Sequence, residues 1–200
     1  MSNASSSLSD ALGAVLLDPA EATARRVHGR TEAAVLVALY VEGGDLHAVF
    51  TRRRHDLRSH AGEISFPGGR RDDGEEDLRV TALREAEEEI GLPRDAVQLV
   101  GALTPTPTVA TSYAIYPFVG LIEAGLGWRP SAREVDEVLE LRLADLRASC
   151  TRRRLLHRGI PFRSDVYDVG AQLVIWGATA RIVGDLLNRT GPLLNRAAEL

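Results

Sequence analysis

The chain lacks several features that would assign it to a large class of proteins. Its 200 residues include a single cysteine, Cys150, so no disulfide can form within the chain. No apolar run approaches the ~20 residues that a membrane-spanning helix needs. The Ser-rich residues 1–10 carry no basic side chain and are therefore a poor secretory signal. These absences favour a cytoplasmic protein in a reducing compartment, without a membrane partner.

An excess of basic residues is also missing. Lys and Arg number 24 against 28 Asp and Glu, which gives a net charge of -4 and a pI of about 5.8. Proteins that bind duplex nucleic acid through its phosphates usually carry a basic excess, so we expect no duplex nucleic acid partner. What the chain does have is an apolar content of 44%, enough for the core of one domain.

Apolar runs and turn residues divide the chain. Residues 1–30 are predicted to be a polar N-terminal arm with one short helix, either partly disordered or packed across a partner copy in a homodimer. Residues 31–190 are predicted to form the domain, and residues 191–200 a C-terminal tail. Within the domain, residues 33–40 and 46–51 are apolar runs of strand length separated by turn residues, which indicates a hairpin. Strands that alternate with helices predict an α/β domain with a mixed sheet.

The other segments are predicted from local signals. Residues 52–60 and 152–162 are basic and lack clean periodicity, so both are predicted to be loops. The Pro-Gly-Gly run at 67–69 predicts a tight turn. A last helix is predicted over about residues 176–188, and Gly191-Pro192 is expected to end it.

The most informative helical pattern covers residues 75–90. Asp73 is its predicted N-cap and Gly91 its predicted C-cap, because a short acidic side chain suits the first turn and glycine suits the left-handed end. Apolar residues at i, i+3 and i+7 form one stripe that should face a core. That stripe consists of Leu83, Ala86 and Ile90.

Three glutamates share a different face of this helix. Glu85, Glu88 and Glu89 are spaced i, i+3 and i+4, so their side chains are neighbours. Like charges at this spacing repel one another, and folding does not require them. A hard divalent cation such as Mg²⁺ or Mn²⁺ would offset the repulsion, because it prefers carboxylate oxygens. The alternative is an acidic face exposed to solvent.

The surrounding residues favour the metal site. Gly69, six residues, Glu76, seven residues and then residues 84–92 (R-E-A-E-E-E-I-G-L) resemble the Nudix box, in which five residues separate the glycine from the first glutamate. The longer spacer leaves Glu75 or Glu76 as the first box glutamate. Glu76 is preferred because the helical register to the box arginine is rigid, whereas a turn tolerates an insertion. The resemblance implies the Nudix fold, a mixed β-sheet sandwiched between helices (α/β/α), and metal-dependent pyrophosphohydrolase activity.

The same resemblance implies the ligands of the metal. Glu85, Glu88 and Glu89 would bind Mg²⁺ or Mn²⁺, and the carbonyl of Gly68 could supply a further oxygen. In this family the bound metal and the helix that holds it act on a diphosphate, so the expected partner is a small-molecule nucleotide substrate.

Catalytic and structural roles follow from the resemblance as well. Arg84 would pair with the first box glutamate and orient the acidic row, while Glu76 and Gly91 would be structural. Either Glu85 or Glu134 would take the proton from the attacking water. Glu134 is selected because this family often uses a further acidic residue from a distant loop.

The segment just before the box resembles one branch of the family. Residues 51–69 (T-R-R-R-H-D-L-R-S-H-A-G-E-I-S-F-P-G-G) are similar to the signature of coenzyme A pyrophosphatases, although that branch often has Ser where Arg54 stands. Residues 174–180 also resemble this branch. The implied reaction cuts coenzyme A, or an acyl-coenzyme A, to 3',5'-ADP and 4'-phosphopantetheine. Because arginine forks suit phosphate oxygens, Arg52, Arg53, Arg54 and Arg58 are expected to bind the substrate. Gly69, in the adjoining turn, is the fifth expected substrate-binding residue.

Two other functions stay open at this point. The same box could serve a hydrolase of ADP-ribose, NADH or a nucleotide-capped RNA end, since only the flanking pockets would differ. A ligand-sensing module without turnover is the alternative from another class. Such modules usually lose box glutamates, whereas all three metal carboxylates are present here.

Overall fold

The fold comes from a computed structural model that describes residues 3–56, 62–74, 77–108, 112–157, 159–170 and 173–194. Within these ranges the helices are α1 (Asn3–Val15), α2 (Pro19–Ala24), α3 (Leu78–Ile90), α4 (Leu143–Ser149) and α5 (Gly177–Leu194). The strands are β1 (Thr31–Glu42), β2 (Asp45–Arg53), β3 (Ile64–Ser65), β4 (Gly68–Arg70), β5 (Gln98–Ala102), β6 (Thr106–Pro107), β7 (Tyr113–Leu121), β8 (Val135–Arg142), β9 (Cys150–His157), β10 (Ile160–Asp168) and β11 (Val174–Ile175). No helix in this part of the chain is long and apolar enough to cross a membrane.

Strand β1 is the centre of a mixed sheet. It pairs antiparallel with β2, where Leu39 lies opposite Ala48, and parallel with β7, where Leu36 lies opposite Phe118. The main path runs β3-β2-β1-β7-β5, while β4 pairs with β1, β6 with β7 and β8 with β2. A second sheet has the order β11-β10-β9. The predicted mixed sheet and its first hairpin are therefore confirmed.

Helices cover both faces of the main sheet because the side chains of β1 alternate between them. One core, against α3, includes Ala34, Leu36, Ala38, Ala82, Ala86 and Ile90. The other core, against α1, α4 and α5, includes Leu12, Val37, Leu39, Phe50, Leu146 and Leu186. This sheet between helices confirms the α/β/α arrangement.

The N-terminal segment packs on the domain. Leu12 of α1 and Ala22 of α2 are both buried in the core clusters. Between the two helices, Leu17 exchanges a pair of backbone hydrogen bonds with Ala102 at the end of β5, each 2.9 Å long. Residues 12–22 therefore form part of the packed structure rather than a separate arm. The limits of the domain and a homodimer stay predictions.

One predicted loop is wrong, and a second begins later than predicted. Residues 152–162 lie mostly in a hairpin of β9 and β10, in which Arg154 is opposite Arg163, and Gly159 supplies a left-handed residue (φ 79°) at the turn. Residues 52 and 53 extend β2, which pairs with β8. Residues 52–53 and most of β9 carry arginines in place of the apolar alternation that predicts a strand.

A predicted tight turn and a predicted helix end are also wrong. Gly68–Arg70 is strand β4, paired with β1, rather than a tight turn. Helix α5 continues past Gly191 and Pro192 to Leu194. The guanidinium of Arg147 in α4 donates a hydrogen bond to the carbonyl of Leu187 at 3.1 Å, one turn before Gly191. Residues 195–200 of the predicted tail lie outside the described residues.

Candidate active site

The ends of α3 set the phase of the carboxylate row. The side chain of Asp77 accepts a hydrogen bond from the backbone N–H of Arg79 at 2.9 Å and caps the helix. Asp73 is therefore not the N-cap, because the helix begins at Leu78, five residues beyond it. Gly91 ends the helix with φ 70°, as predicted for a C-cap, and its N–H contacts the carbonyls of Ala86 and Glu87. Both ends of the helix are thus fixed by caps, which sets the direction in which each glutamate of the row points.

The three glutamates of the row differ strongly in burial. The side chain of Glu89 is 5% exposed, that of Glu85 is 16% exposed and that of Glu88 is 58% exposed. The row therefore passes from the interior, beside the sheet, to solvent. A ligand that bridged all three would have one side buried and the other open to substrate.

Glu89 is the most unusual group in the site. The backbone N–H of Gly68 donates to its Oε2 at 3.2 Å, and Nη1 of Arg53 lies 3.6 Å from its Oε1. Burial nevertheless raises the pKa of Glu89 to about 8, and the charges of Glu85 and Glu134 add to the rise. A further positive charge would therefore stabilise the ionised carboxylate. The predicted ligand role of the Gly68 carbonyl stays a prediction.

Glu85 lies directly against the glycine-rich strand β4. A Cβ atom at Gly69 would overlap the Glu85 carboxylate, whose Oε2 would lie 2.6 Å away. Only glycine lets the backbone come this close. Burial raises the pKa of Glu85, while the hydrogen bond from Arg84 opposes the rise. Gly68 and Gly69 thus bring the backbone of β4 against the carboxylates of Glu89 and Glu85.

Arg84 connects the row to the loop after β4. Its Nη1 donates to Glu85 Oε1 at 2.9 Å and to Glu88 Oε2 at 3.4 Å. Its Nη2 donates to the carbonyl of Arg70 at 3.2 Å and lies 3.5 Å from Asp72. Sequence reasoning did not select Asp72, whose only signal is its place in the turn after the box glycine. The predicted partner Glu76, like its alternative Glu75, lies outside the described residues.

Arg53 and Glu134 meet at the buried end of the row. Nη2 of Arg53 lies 3.7 Å from Glu134 Oε2, while its Nη1 approaches Glu89. Two residues predicted from distant parts of the chain therefore come together beside the most buried carboxylate. Their roles as substrate-binding residue and proton acceptor stay predictions.

The other lead-in arginines do not join Arg53. Arg52 alternates to the opposite face of β2 and forms ion pairs with Asp136 at 2.9 Å and Glu137 at 3.2 Å. Arg54 binds both carboxylate oxygens of Asp56, at 2.8 and 2.7 Å. The lead-in is therefore not a single basic patch facing the row, because strand alternation divides it. Arg58 lies outside the described residues.

Comparisons with known proteins agree with this geometry. The NUDIX domain family matches residues 30–158. The chain belongs to this family. It is 36% identical over 177 residues to the uncharacterized Nudix hydrolase NudL of Escherichia coli O1:K1 / APEC, across 84% of this chain and 86% of that protein.

Two solved structures share the fold. A MutT/nudix family protein from Enterococcus faecalis superposes with a TM-score of 0.54 at 13% identity, over 84% of this chain and 64% of the other. The Nudix hydrolase RenU from M. smegmatis gives 0.52 at 23% identity, over 62% and 78%. At these identities the likeness concerns the fold alone.

Membership makes the chain a Nudix hydrolase, a pyrophosphohydrolase that acts on nucleoside diphosphate derivatives, and Nudix hydrolases generally use divalent metal ions. Among the residues that the structure describes, no group of three or more His, Cys, Asp and Glu side chains is arranged to hold a metal ion. The Nudix carboxylates Glu85 and Glu89 instead face Arg84 and Gly68. The residues still fit a hard divalent cation, because the donors are oxygens and the buried Glu89 carboxylate lacks sufficient positive charge.

Proposed function

We propose that this Nudix hydrolase cuts the diphosphate of coenzyme A, or of an acyl-coenzyme A, with Mg²⁺ or Mn²⁺ as its cofactor. The products would be 3',5'-ADP and 4'-phosphopantetheine or its acylated form. The observation that carries the proposal is the position of the Phe-Pro-Gly-Gly run at 66–69, which resembles the coenzyme A branch. Its glycines lie directly against Glu89 and Glu85, and the preceding segment delivers Arg53 to the same row.

The carboxylate row would position the diphosphate. Glu85, Glu88 and Glu89 would hold a divalent cation, which when bound supplies charge to the diphosphate oxygens and lowers the pKa of a bound water. Arg84 fixes Glu85 and Glu88 by hydrogen bonds, and Arg53 places positive charge beside Glu89. Cleavage of an anhydride depends mainly on such positioning and charge stabilisation, so no covalent enzyme intermediate is needed.

Glu134 is the proposed proton acceptor. Its side chain is 51% exposed, so water reaches it. Its Oε2 lies 3.7 Å from Nη2 of Arg53, at the end of the row. Glu85, the other candidate, already accepts a hydrogen bond from Arg84, which makes it less available as a base. Glu134 would take the proton of the attacking water as the oxygen bonds to phosphorus and the second phosphate leaves.

Replacing Glu134 by Gln is expected to lower kcat about 10²- to 10⁴-fold while KM changes little, because general-base catalysis contributes on this scale. Glu123→Gln, in the exposed loop after β7, is the matched control. An unchanged kcat in Glu134→Gln would move the base role to Glu85.

The substrate is tested by product analysis with liquid chromatography. Purified protein with Mg²⁺, and then with Mn²⁺, meets coenzyme A, ADP-ribose, NADH and 8-oxo-dGTP in parallel, with Glu88→Gln as the inactive control. We expect coenzyme A to yield 3',5'-ADP far faster than the other compounds react. Faster turnover of ADP-ribose or NADH would contradict the coenzyme A assignment and leave the metal site intact. No turnover with either metal would favour a ligand-sensing module.

A further inference from the structure

A polar pocket lies next to the carboxylate row but outside it. It is lined by residues 29–32 at the start of β1 and by residues 70–74 after β4, and its volume is about 650 Å³. Ligand pockets of roughly 300–1,000 Å³ hold molecules of nucleotide size. The pocket is therefore large enough for part of a substrate whose diphosphate lies at the row.

The charges of this pocket are not all paired with each other. Arg71 forms an ion pair with Glu32 at 3.0 Å, and Asp72 is 3.5 Å from Arg84. Arg30 and Arg70 are exposed, and within the described residues neither guanidinium has an ion-pair partner. One carboxylate of the lining, Asp73, is likewise without an ion pair in that part of the chain. Two guanidiniums thus remain available to a ligand, opposed by one carboxylate.

Arg70 is tied to the catalytic row by the backbone. It follows Gly68 by two residues in the same strand, so the two Cα atoms are about 7 Å apart. Its carbonyl accepts the hydrogen bond from Arg84, whose other nitrogen holds Glu85 and Glu88. The Arg70 backbone therefore places one wall of the pocket beside the arginine that holds the row.

Arg30 is fixed at the opposite wall. Its backbone N–H donates to the carbonyl of Ser112 at 2.7 Å. The preceding Gly29 lies against the backbone of β7, where a Cβ atom would come within 2.6 Å of the carbonyl carbon of Tyr113. This contact leaves no room for a side chain at position 29, so the backbone that leads into β1 lies directly against β7. The position of Arg30 on the pocket rim is thus set by main-chain contacts.

We propose that Arg30 and Arg70 bind a phosphate monoester of the substrate that is separate from the diphosphate being cut. Arginine recognises such a group well, because its planar fork donates two hydrogen bonds to phosphate oxygens. The subsite makes the enzyme prefer substrates that carry the additional phosphate. The inference rests on the proposed function, and in coenzyme A the group is the phosphate on the ribose 3'-oxygen.

The test compares substrates that differ by one phosphate monoester: coenzyme A with dephospho-coenzyme A, and NADPH with NADH. In Arg30→Gln and Arg70→Gln, KM for the phosphate-bearing member of a hydrolysed pair should rise about tenfold, equivalent to about 1.4 kcal/mol, while KM for the other member stays the same. Arg25→Gln is the control, since it removes the same charge from an exposed residue paired with Glu21. Equal KM values for both members in the unchanged protein, or equal rises for both in the variants, would overturn the subsite.

A binding measurement separates failure of this subsite from failure of the proposed function. Calorimetry without metal would compare adenosine 3',5'-bisphosphate with adenosine 5'-monophosphate on the full chain. We expect tighter binding of the bisphosphate, lost in Arg70→Gln and kept in Arg25→Gln. If coenzyme A is not hydrolysed but this difference is present, the proposed substrate is wrong and the subsite stands. Equal affinities for the two nucleotides would exclude the subsite whatever the activity.

Discussion

Replacing Glu89 by Gln should lower hydrolysis at least about a thousandfold, because it removes a buried ligand of a cation that supplies several kcal/mol of charge stabilisation. The same change should stabilise the metal-free fold at high pH. Burial raises the pKa of Glu89 from 4.5 to about 8, so the folded state binds this proton more tightly than the unfolded chain does.

The direction of the pH effect follows from that difference. The contribution of Glu89 to stability is complete below pH 4.5, declines as pH rises, and is lost once pH passes about 8. A neutral Gln avoids this loss. Glu89→Gln should therefore exceed the unchanged protein in free energy of unfolding at pH 8.5, on the order of a few kcal/mol, and match it more closely at pH 5.

Both effects can be measured on one set of samples. Product formation with Mg²⁺ gives the activity, and urea unfolding in chelator at pH 5 and pH 8.5 gives the stability. Glu87→Gln is the matched control, because Glu87 is on the same helix but off the row and forms an exposed ion pair with Arg94 at 2.7 Å. Substantial activity in Glu89→Gln, or no gain of stability at pH 8.5, would contradict the assignment of a buried metal carboxylate.

Gly68→Ala is expected to cause the largest loss of stability of any small substitution near the site. Its Cβ would overlap the carbonyl oxygen of Ala34 and come within 2.6 Å of the Val35 Cα. Both atoms belong to the backbone of β1, which cannot move aside without separating β4 from the sheet. Overpacking of this kind costs about 1–3 kcal/mol, and a displaced β4 would also lengthen the hydrogen bond from the residue 68 N–H to Glu89, which should place this variant at the upper end.

Two further glycines make this prediction specific. Gly69→Ala meets the end of the Glu85 side chain, which can rotate, so activity should fall more than tenfold, roughly 1.4 kcal/mol, with a smaller loss of stability. Gly127 has no atom within 4 Å of an added Cβ, so Gly127→Ala should change the free energy of unfolding by less than about 0.5 kcal/mol. Urea unfolding and hydrolysis rates of the three variants provide the comparison. Equal stability of Gly68→Ala and Gly127→Ala would show that β4 does not press on β1.

Local periodicity predicts the elements whose signal lies within a few turns of chain. The apolar stripe of α3, its C-cap at Gly91 and the spacing of Glu85, Glu88 and Glu89 all follow from the helical repeat of 3.6 residues. The hairpin of β1 and β2 follows from two apolar runs and the turn between them. The hairpin of β9 and β10 has no such signal, because arginines occupy positions in both strands where the alternation would require apolar residues.

The sequence by itself determined the family, the helix that carries the chemistry and which glutamates share its face, because these depend on neighbouring residues in one helix. Only the tertiary structure decided that Glu89 is buried while Glu88 is exposed, since burial depends on the strand packed beside the helix. It also separated Arg53, which lies beside Glu89 and Glu134, from Arg52, which is paired with Asp136 and Glu137. The charge that a side chain faces is set by strand pairing with residues far away in the chain, and no local pattern contains that information.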